Sequence, residues 1–250
     1  MTGTNRALEG HVAIVTGGSR GIGAAIARRL AAGGAQVTLT YLSSADKARA
    51  VAADCDVAGG SGKAVQADVA DLAANRGLVD QVVAEHGRLD ILVNNAAILG
   101  GADLPNVTEE DFDRNVAANL KGLFFLTQAA VAQMQQGGRI VNIGSIFGES
   151  VPFPGLDLYS MCKFALAGLT RAWARDLAGR GITVNCIQPG PINTDMNPEN
   201  GELAKLMLPR APLGRYGRPE EVAEMVAYLV GPNTDNVTGA ILNNDGAWNA

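Results

Sequence analysis

The stretch Thr16-Gly17-Gly18-Ser19-Arg20-Gly21-Ile22-Gly23 decides the fold of this chain. It sits between a short apolar, β-branched run, Val12–Thr16, and a longer segment, Gly21–Ala32, in which Ile22, Ile26 and Leu30 recur at i, i+4 and i+8, the period of one helix face. Glycines at 17, 21 and 23 let the backbone leave a strand sharply and approach a ligand with no Cβ in the way. The unpaired N–H groups at the helix start then point outward, where the helix dipole favours a diphosphate. Glycines alone also suit an ordinary strand–helix turn; their place at the first such junction of an alternating chain favours the nucleotide. Gly17-Gly18-Ser19-Arg20-Gly21 matches the Gly-x-Ser-x-Gly elbow of serine hydrolases as well. That chemistry needs a late histidine, and the only one downstream is His86, with most of the sheet still to come. Ser19 is therefore a poor nucleophile.

Outward from this junction the alternation continues to the end of the chain. Further strands are predicted over Gln36–Tyr41, Lys63–Gln66, Leu89–Asn94, Arg139–Gly144, Thr183–Gln188 and Ala240–Asn244, bracketed by Gly, Asp and Asn. Helices are predicted over Ala45–Ala58, Leu72–His86, Glu109–Gln136, Tyr159–Arg180 and Pro219–Val230. Such alternation implies an α/β protein with a seven-stranded parallel sheet covered by helices on both faces. The right-handed crossover rule leaves a doubly wound, Rossmann-type sheet as the topology. No linker, repeat or low-complexity tract divides residues 1–250, so one domain is expected.

Bulk properties narrow the function classes. With 250 residues, 47% hydrophobic and 18% charged, the chain can bury a large core. A net charge of −5 offers no basic face for nucleic acid. Cys55, Cys162 and Cys186 show no CxxC spacing and read as reduced thiols of a cytoplasmic protein. Met1–Gly10 lacks the basic and apolar regions of a secretion signal, and no apolar stretch approaches a membrane span. Only two histidines and no Cys/His cluster argue against a protein-built metal site.

Two constellations carry chemistry. The second strand ends Thr40-Tyr41-Leu42-Ser43-Ser44, with no acid before Asp46, whereas an NAD site commonly places an acid there for the adenosine ribose. Arg20 can pair with a 2′-phosphate and Ser43 or Ser44 can donate to it, so NADPH/NADP+ is the expected cofactor and NADH the alternative. Arg20 as a solvated helix-start cation is the plain structural reading. The second constellation is Tyr159-Ser160-Met161-Cys162-Lys163, whose i, i+4 spacing puts phenol and ammonium on one helix face. An ammonium beside a phenol stabilises the phenolate, which a proton donor to an alkoxide requires. Ser145 follows the strand Arg139–Gly144 at its carboxyl end, fourteen residues before Tyr159. The first, fourth, fifth and sixth strands all deliver glycine-rich or polar sequences at their carboxyl ends, where parallel sheets bind ligands.

These motifs, in this order, give the chain its resemblance to the short-chain dehydrogenase/reductase family over nearly its full length: the glycine loop, Asp68-Val69, Asn94-Asn95-Ala96-Ala97, Asn119, Ser145, Tyr159 with Lys163, and Pro189-Gly190-Pro191-Ile192-Asn193-Thr194. The resemblance implies hydride exchange between a nicotinamide cofactor and a carbonyl or alcohol. It implies that Tyr159 is the general acid or base, that Lys163 supports it and holds the nicotinamide ribose, that Ser145 hydrogen-bonds the substrate oxygen, and that Asn119 anchors a water-linked relay. Gly17, Ser19, Arg20, Gly21, Ile22, Gly23, Tyr41, Ser43 and Ser44 are implied around the adenosine and diphosphate. Asp68 and Val69 are implied beside the adenine, Asn95, Ala96 and Ala97 along the cleft, and Pro189, Gly190, Ile192 and Thr194 beside the nicotinamide. Taken one at a time, Asn119 also suits a backbone brace near a helix bend, Asn94 and Asn95 a strand-end turn, Asp68 a cap and Cys162 plain packing. Ala97 and Ala247 stand where the family more often has glycine.

Two segments are expected to enclose the substrate, 146–158 and a lid over about 191–212, contributing Phe147, Val151, Phe153, Leu156, Met196, Leu206 and Met207. A wall of this kind suits a small apolar or aromatic ketone or alcohol. Relatives by resemblance include 3-oxoacyl-[acyl-carrier-protein] reductases, which present basic residues near the end of the long helix before the fifth strand. Here that stretch is Gln133-Met134-Gln135-Gln136, which favours a free ketone or keto ester over a carrier-bound acyl chain. The resemblance also implies a homotetramer, with the long helices and the Trp248 tail between subunits. A non-catalytic dinucleotide sensor on the same fold would show an eroded Tyr/Lys/Ser set; here all three are present.

Overall fold

The structure, a computed structural model, describes residues 6–250; the first five residues of Met1–Gly10 lie outside it. Seven parallel strands form one sheet in the order β3-β2-β1-β4-β5-β6-β7. They are β1 (Val12–Val15), β2 (Gln36–Tyr41), β3 (Ser61–Gln66), β4 (Ile91–Asn94), β5 (Arg139–Ile143), β6 (Thr183–Pro189) and β7 (Ile241–Asn244). The helices are α1 (Gly21–Ala32), α2 (Ala45–Ala58), α3 (Leu72–His86), α4 (Glu109–Val116), α5 (Gly122–Gln133), α6 (Asp157–Leu177), α7 (Glu202–Met207) and α8 (Pro219–Val230). The central strands β1 and β4 read as near-continuous apolar runs because both of their faces are buried. Ala13, Val15, Ile91 and Val93 join one core with α1, α2 and α8. Val12, Ile14, Leu92 and Ile140 join the other, with α3, α5 and α6. Among the described residues no helix is long and apolar enough to cross a membrane.

Several bounds shift by one to three residues, β4 starting at Ile91 and α6 at Asp157, and two further differences bear on packing and on the site. Strand β3 starts at Ser61, two residues earlier, and pairs with β2 from Gln36↔Ser61 to Tyr41↔Gln66. Gly62 lowers strand propensity, but a Cβ there would stand 2.2 Å from the Ala52 carbonyl oxygen. Its bareness is what lets α2 lie on the strand. The expected helix over Glu109–Gln136 is instead two α-helices joined by a π turn, Ala117–Lys121, where Gly122 N–H donates to the Ala117 carbonyl five residues back. A wide turn of this kind is a frequent mark of a functional position, and Asn119 lies within it, 3% exposed.

Gly122, at the start of α5, ties this region to the sheet edge. A Cβ there would meet the Val69 carbonyl oxygen at 2.0 Å. Asn75 of α3 donates through Nδ2 to the carbonyls of both Val69 (2.8 Å) and Gly122 (3.2 Å). Alanine is about 1 kcal/mol better than glycine inside a helix, yet overpacking at this contact costs about 1–3 kcal/mol. Gly122→Ala is therefore expected to lower the melting temperature, against its helix propensity. A variant melting at or above the parent temperature would contradict the close approach.

Candidate active site

The site grows from the carboxyl ends of β1 and β4, neighbours in the sheet whose following segments diverge. Gly17 (φ +64°) and Gly21 (φ +54°) take the left-handed conformations that glycine alone adopts freely. At Gly23 a Cβ would meet the Gly17 carbonyl oxygen at 2.4 Å and Asn95 Nδ2 at 2.5 Å. That space is taken by Asn95 itself, whose Nδ2 donates to the carbonyls of Thr16 (2.8 Å) and Gly17 (3.1 Å). Thr16, 3% exposed, accepts at Oγ1 from the N–H groups of both Asn95 and Ala96, each at 2.9 Å. The end of β2 closes the loop from the other side, with Gly17 N–H donating to Thr40 Oγ1 at 3.2 Å and Gly18 N–H to the Thr40 carbonyl at 2.8 Å.

A cavity of about 380 Å³ opens above this floor. Its lining includes Gly17, Ser19, Arg20, Gly21, Ile22, Gly23, Tyr41, Ser43, Ser44, Asp68, Val69, Asn95, Ala96, Ala97, Pro189, Gly190, Ile192 and Thr194. Every residue expected around the dinucleotide thus borders one space, running from the end of β2 to the end of β6. A cradle of backbone at the start of α1 and a long cleft fit an extended dinucleotide. No acid stands at the end of β2, and Arg20 is exposed at that rim. Sequence reasoning missed Asp195, which also lines the cavity and pairs with Lys47 at 2.7 Å. The Lys47 ammonium, and then Arg20, hold its carboxyl below the ordinary range. A pair 148 residues apart in the chain leaves no local pattern to read.

Ser145, Tyr159 and Lys163 border the same space at its other end. Lys163 is 5% exposed. Its Nζ donates to the Ile143 carbonyl at 2.8 Å and stands 5.4 Å from the centroid of the Tyr159 ring, leaving two of its three donor positions for other partners. Ser145 Oγ accepts from Phe147 N–H at 3.2 Å, so the hydroxyl proton is directed elsewhere. Asn119 is not on the lining. Its Oδ1 accepts from Ile98 N–H (2.9 Å) and its Nδ2 donates to the Ile98 carbonyl (3.0 Å) and to Asn115 Oδ1 (3.3 Å). It braces Ile98, which does line the cavity. Cys162 is buried, and desolvation pushes its thiol up from the ordinary range, as suits packing.

The apolar wall is only partly the expected one. Phe147, Met196 and Met207 line the cavity, joined by Ile98, Leu99 and Leu203. Val151 and Leu206 do not; they are 52% and 56% exposed. In α7 the buried residues are Ala204 and Met207, and at about 100° per residue Leu206 lies about 100° from Met207 and about 160° from Ala204, which turns it to the outside. Phe153 and Leu156 pack instead beneath the site, on a cluster of Ile146, Phe147, Ala204, Met207 and Tyr216 that also receives Tyr159 and Trp248 of the same chain.

This sheet and this cleft define a dinucleotide-dependent oxidoreductase. A family model described as enoyl-(acyl carrier protein) reductase matches residues 17–249, and the chain belongs to the short-chain dehydrogenase/reductase family. It is 43% identical to the cyclic-di-GMP-binding biofilm dispersal mediator protein of Escherichia coli strain K12, over 98% of this chain and 99% of that one. A short-chain dehydrogenase/reductase from Serratia marcescens BCRC 10948 is 50% identical, superposes with a TM-score of 0.95, and is matched over 98% of this chain and all (100%) of its own. A short-chain dehydrogenase from Burkholderia cenocepacia J2315, solved in complex with NADP, is 46% identical with a TM-score of 0.95, over 98% of this chain and 100% of its own.

Because Thr16 Oγ1 serves two main-chain donors at the heart of the cleft, Thr16→Val keeps the shape and removes both acceptor contacts. An unpaired buried N–H costs about 1–3 kcal/mol. Denaturant unfolding is expected to register that loss together with weaker dinucleotide binding by calorimetry; a valine variant equal to the parent in both would refute the bridging role.

Proposed function

We propose that the chain is an NADPH-dependent carbonyl reductase, reversibly an alcohol dehydrogenase, acting on a small apolar or aromatic ketone or keto ester. One observation carries the reading: Ser145, Tyr159 and Lys163 border the apolar end of a cleft whose other end presents Arg20, Ser43 and Ser44, with no acid at the end of β2. The absence of an acid at the end of β2 favours a 2′-phosphate, and the relative from Burkholderia cenocepacia was solved with NADP.

The residues divide the work as follows. When bound, the nicotinamide supplies a hydride to the carbonyl carbon. The Ser145 hydroxyl, its lone pair engaged by Phe147 N–H, donates to the carbonyl oxygen and holds it near Tyr159. Tyr159 gives its proton to that oxygen as negative charge develops. The buried Lys163 ammonium offsets the phenolate left behind, and its bond to the Ile143 carbonyl keeps it in place. Phe147, Leu203 and Met207 exclude water and select apolar substituents. The segment 191–212, containing α7, serves as a lid.

A carrier-bound 3-oxoacyl substrate is the second reading, favoured by the description of the matching family model. Against it stands the end of α5, Gln133-Met134-Gln135-Gln136, which carries no cation of its own for an acidic carrier, the Arg180 nearby being engaged with the Val131 and Met134 carbonyls. For assembly we propose a homotetramer, supported by the exposed Phe112, Phe124, Met161 and Phe164 of α4, α5 and α6. A cytoplasmic location is supported by three free, buried cysteines.

A panel of apolar ketones, keto esters and a 3-oxoacyl carrier, assayed with NADPH and NADH side by side, tests the reading. Oxidation of NADPH with the free ketones supports it, and activity confined to the carrier substrate would replace it by the second. Tyr159→Phe is expected to cut turnover by about 10²–10⁴-fold, the span of general acid catalysis, while NADPH affinity holds. Arg20→Ala is expected to weaken NADPH by about 10–100-fold, the worth of a charge-assisted hydrogen bond, and to leave NADH nearly unchanged. Equal losses for both cofactors would remove Arg20 from the 2′-phosphate.

A further inference from the structure

The direction of the Ser145 hydroxyl depends on the turn that follows it. Ser145 enters a single 3-10 turn, Ile146–Gly148. The turn is closed locally by Gly148 N–H on the Ser145 carbonyl (2.8 Å) and Glu149 N–H on the Ile146 carbonyl (3.1 Å). Ile146 and Phe147 are buried in the cluster beside the site, and the remaining polar groups of the turn take their partners from outside it.

The outside partner is the end of the chain. Asn249 Nδ2 donates to the Ile146 carbonyl at 3.1 Å and to Glu149 Oε2 at 3.2 Å, and its Oδ1 accepts from Ser150 Oγ at 2.7 Å. Asn249 is itself held. Asp245 Oδ2 accepts from Asn249 N–H at 3.0 Å and Asp245 Oδ1 from Ala247 N–H at 2.9 Å. Between them Ala247 adopts φ +70°, a left-handed backbone that an alanine keeps only when its surroundings impose it. Trp248 packs on the cluster that contains Phe147 and receives Tyr159. From the β7 edge, Asn243 Nδ2 adds a bond to the same Glu149 oxygen at 2.9 Å.

We propose that the C-terminal tail is a positioning element for the reaction, with Asn249 as the positioning residue that sets the serine turn and through it the Ser145 hydroxyl. The amide is matched to the task, because one planar group supplies donors to the Ile146 carbonyl and to Glu149 and an acceptor to Ser150. Asn249 touches neither substrate nor cofactor; it acts through Ser145. The proposal rests on the role given to Ser145 above.

A double-mutant cycle on the full-length enzyme tests it, using Asn249→Ala, Ser145→Ala and the pair, with ketone reduction, NADPH affinity and melting temperature all read. Asn249→Ala is expected to lower kcat by about 10–100-fold, the scale of a small misplacement at a reacting centre, with KM and NADPH affinity little changed. In the Ser145→Ala background the same substitution is expected to add nothing, because residues acting through one group are not additive. A kcat equal to the parent overturns the proposal, and so does an equal fold-loss in both backgrounds, the signature of a general structural role. Ser150→Ala, which removes a tether of Asn249, should give a smaller loss in the same direction, and it takes over the cycle if Asn249→Ala does not fold. If Ser145→Ala matches the parent, the serine's catalytic role fails and the proposal falls with it; if Ser145→Ala is impaired and Asn249→Ala is not, only the tail's role is lost.

Discussion

Strands β1 and β4 lie side by side in the sheet, while the chain departs from their carboxyl ends in opposite directions, and the crevice between them exists only as long as those two departures keep a fixed spacing. The Thr16 hydroxyl and the Asn95 amide supply the spacing. The first receives two N–H groups from the β4 side, and the second returns two bonds to carbonyls on the β1 side. Gly23 has no side chain because Asn95 stands there. Everything that follows in the cleft is placed relative to this stitch: the start of α1, the run Ala96–Leu99, and through Ile98 the π turn with Asn119. A parallel sheet contributes the opening by topology, and a few polar atoms decide its width.

Most of the architecture was readable because both faces of the central strands β1, β4, β5 and β6 are buried, which writes apolar, β-branched residues directly into the sequence. Helix α8 runs over Pro219–Val230 as expected, with proline and two acids in its first turn and glycine after its last residue, the ordinary marks of a helix start and stop. The π turn left no such mark. Ala117-Ala118-Asn119-Leu120-Lys121 contains no residue that interrupts a helix; the interruption is imposed by tertiary contacts, Gly122 on Val69 and Asn119 on Ile98. The early start of β3 was hidden for a related reason, since glycine at 62 lowers strand propensity but admits α2.

At the site, residues tied to the ends of strands were legible and residues on excursions only in part, Phe147, Met196 and Met207 reaching the cavity as expected. Motifs anchored to β1, β4, β5 and β6 all reach the cleft, because strand ends are fixed by the sheet. Val151 lies in an aperiodic segment, where no pattern says which side chains turn inward, and it faces solvent. Leu206 sits one helical step from Met207 and two from Ala204, the buried residues of its short helix. Ion pairs such as Lys47 with Asp195 and the bonds of Asn249 to the serine turn join positions far apart in the chain, and only folding brings them together.

The wide turn before α5 also constrains what changes of length this chain can accept. A helix advances about 100° per residue, and a π turn holds one residue more than the α-helical turn it replaces, so deleting one residue between 117 and 121 would relax that turn into regular α-helix while α5 keeps its rotation against the sheet. The bare face of Gly122 would still meet the Val69 carbonyl, and the buried Leu123, Leu126 and Ala130 would stay in the core; what would go is the wide turn around Asn119 and its brace on Ile98. An insertion there has no such slack and would turn α5 by about 100°, carrying those side chains out of the core. This short stretch should therefore accept the loss of a residue in its fold, with the Ile98 brace given up, and resist a gain.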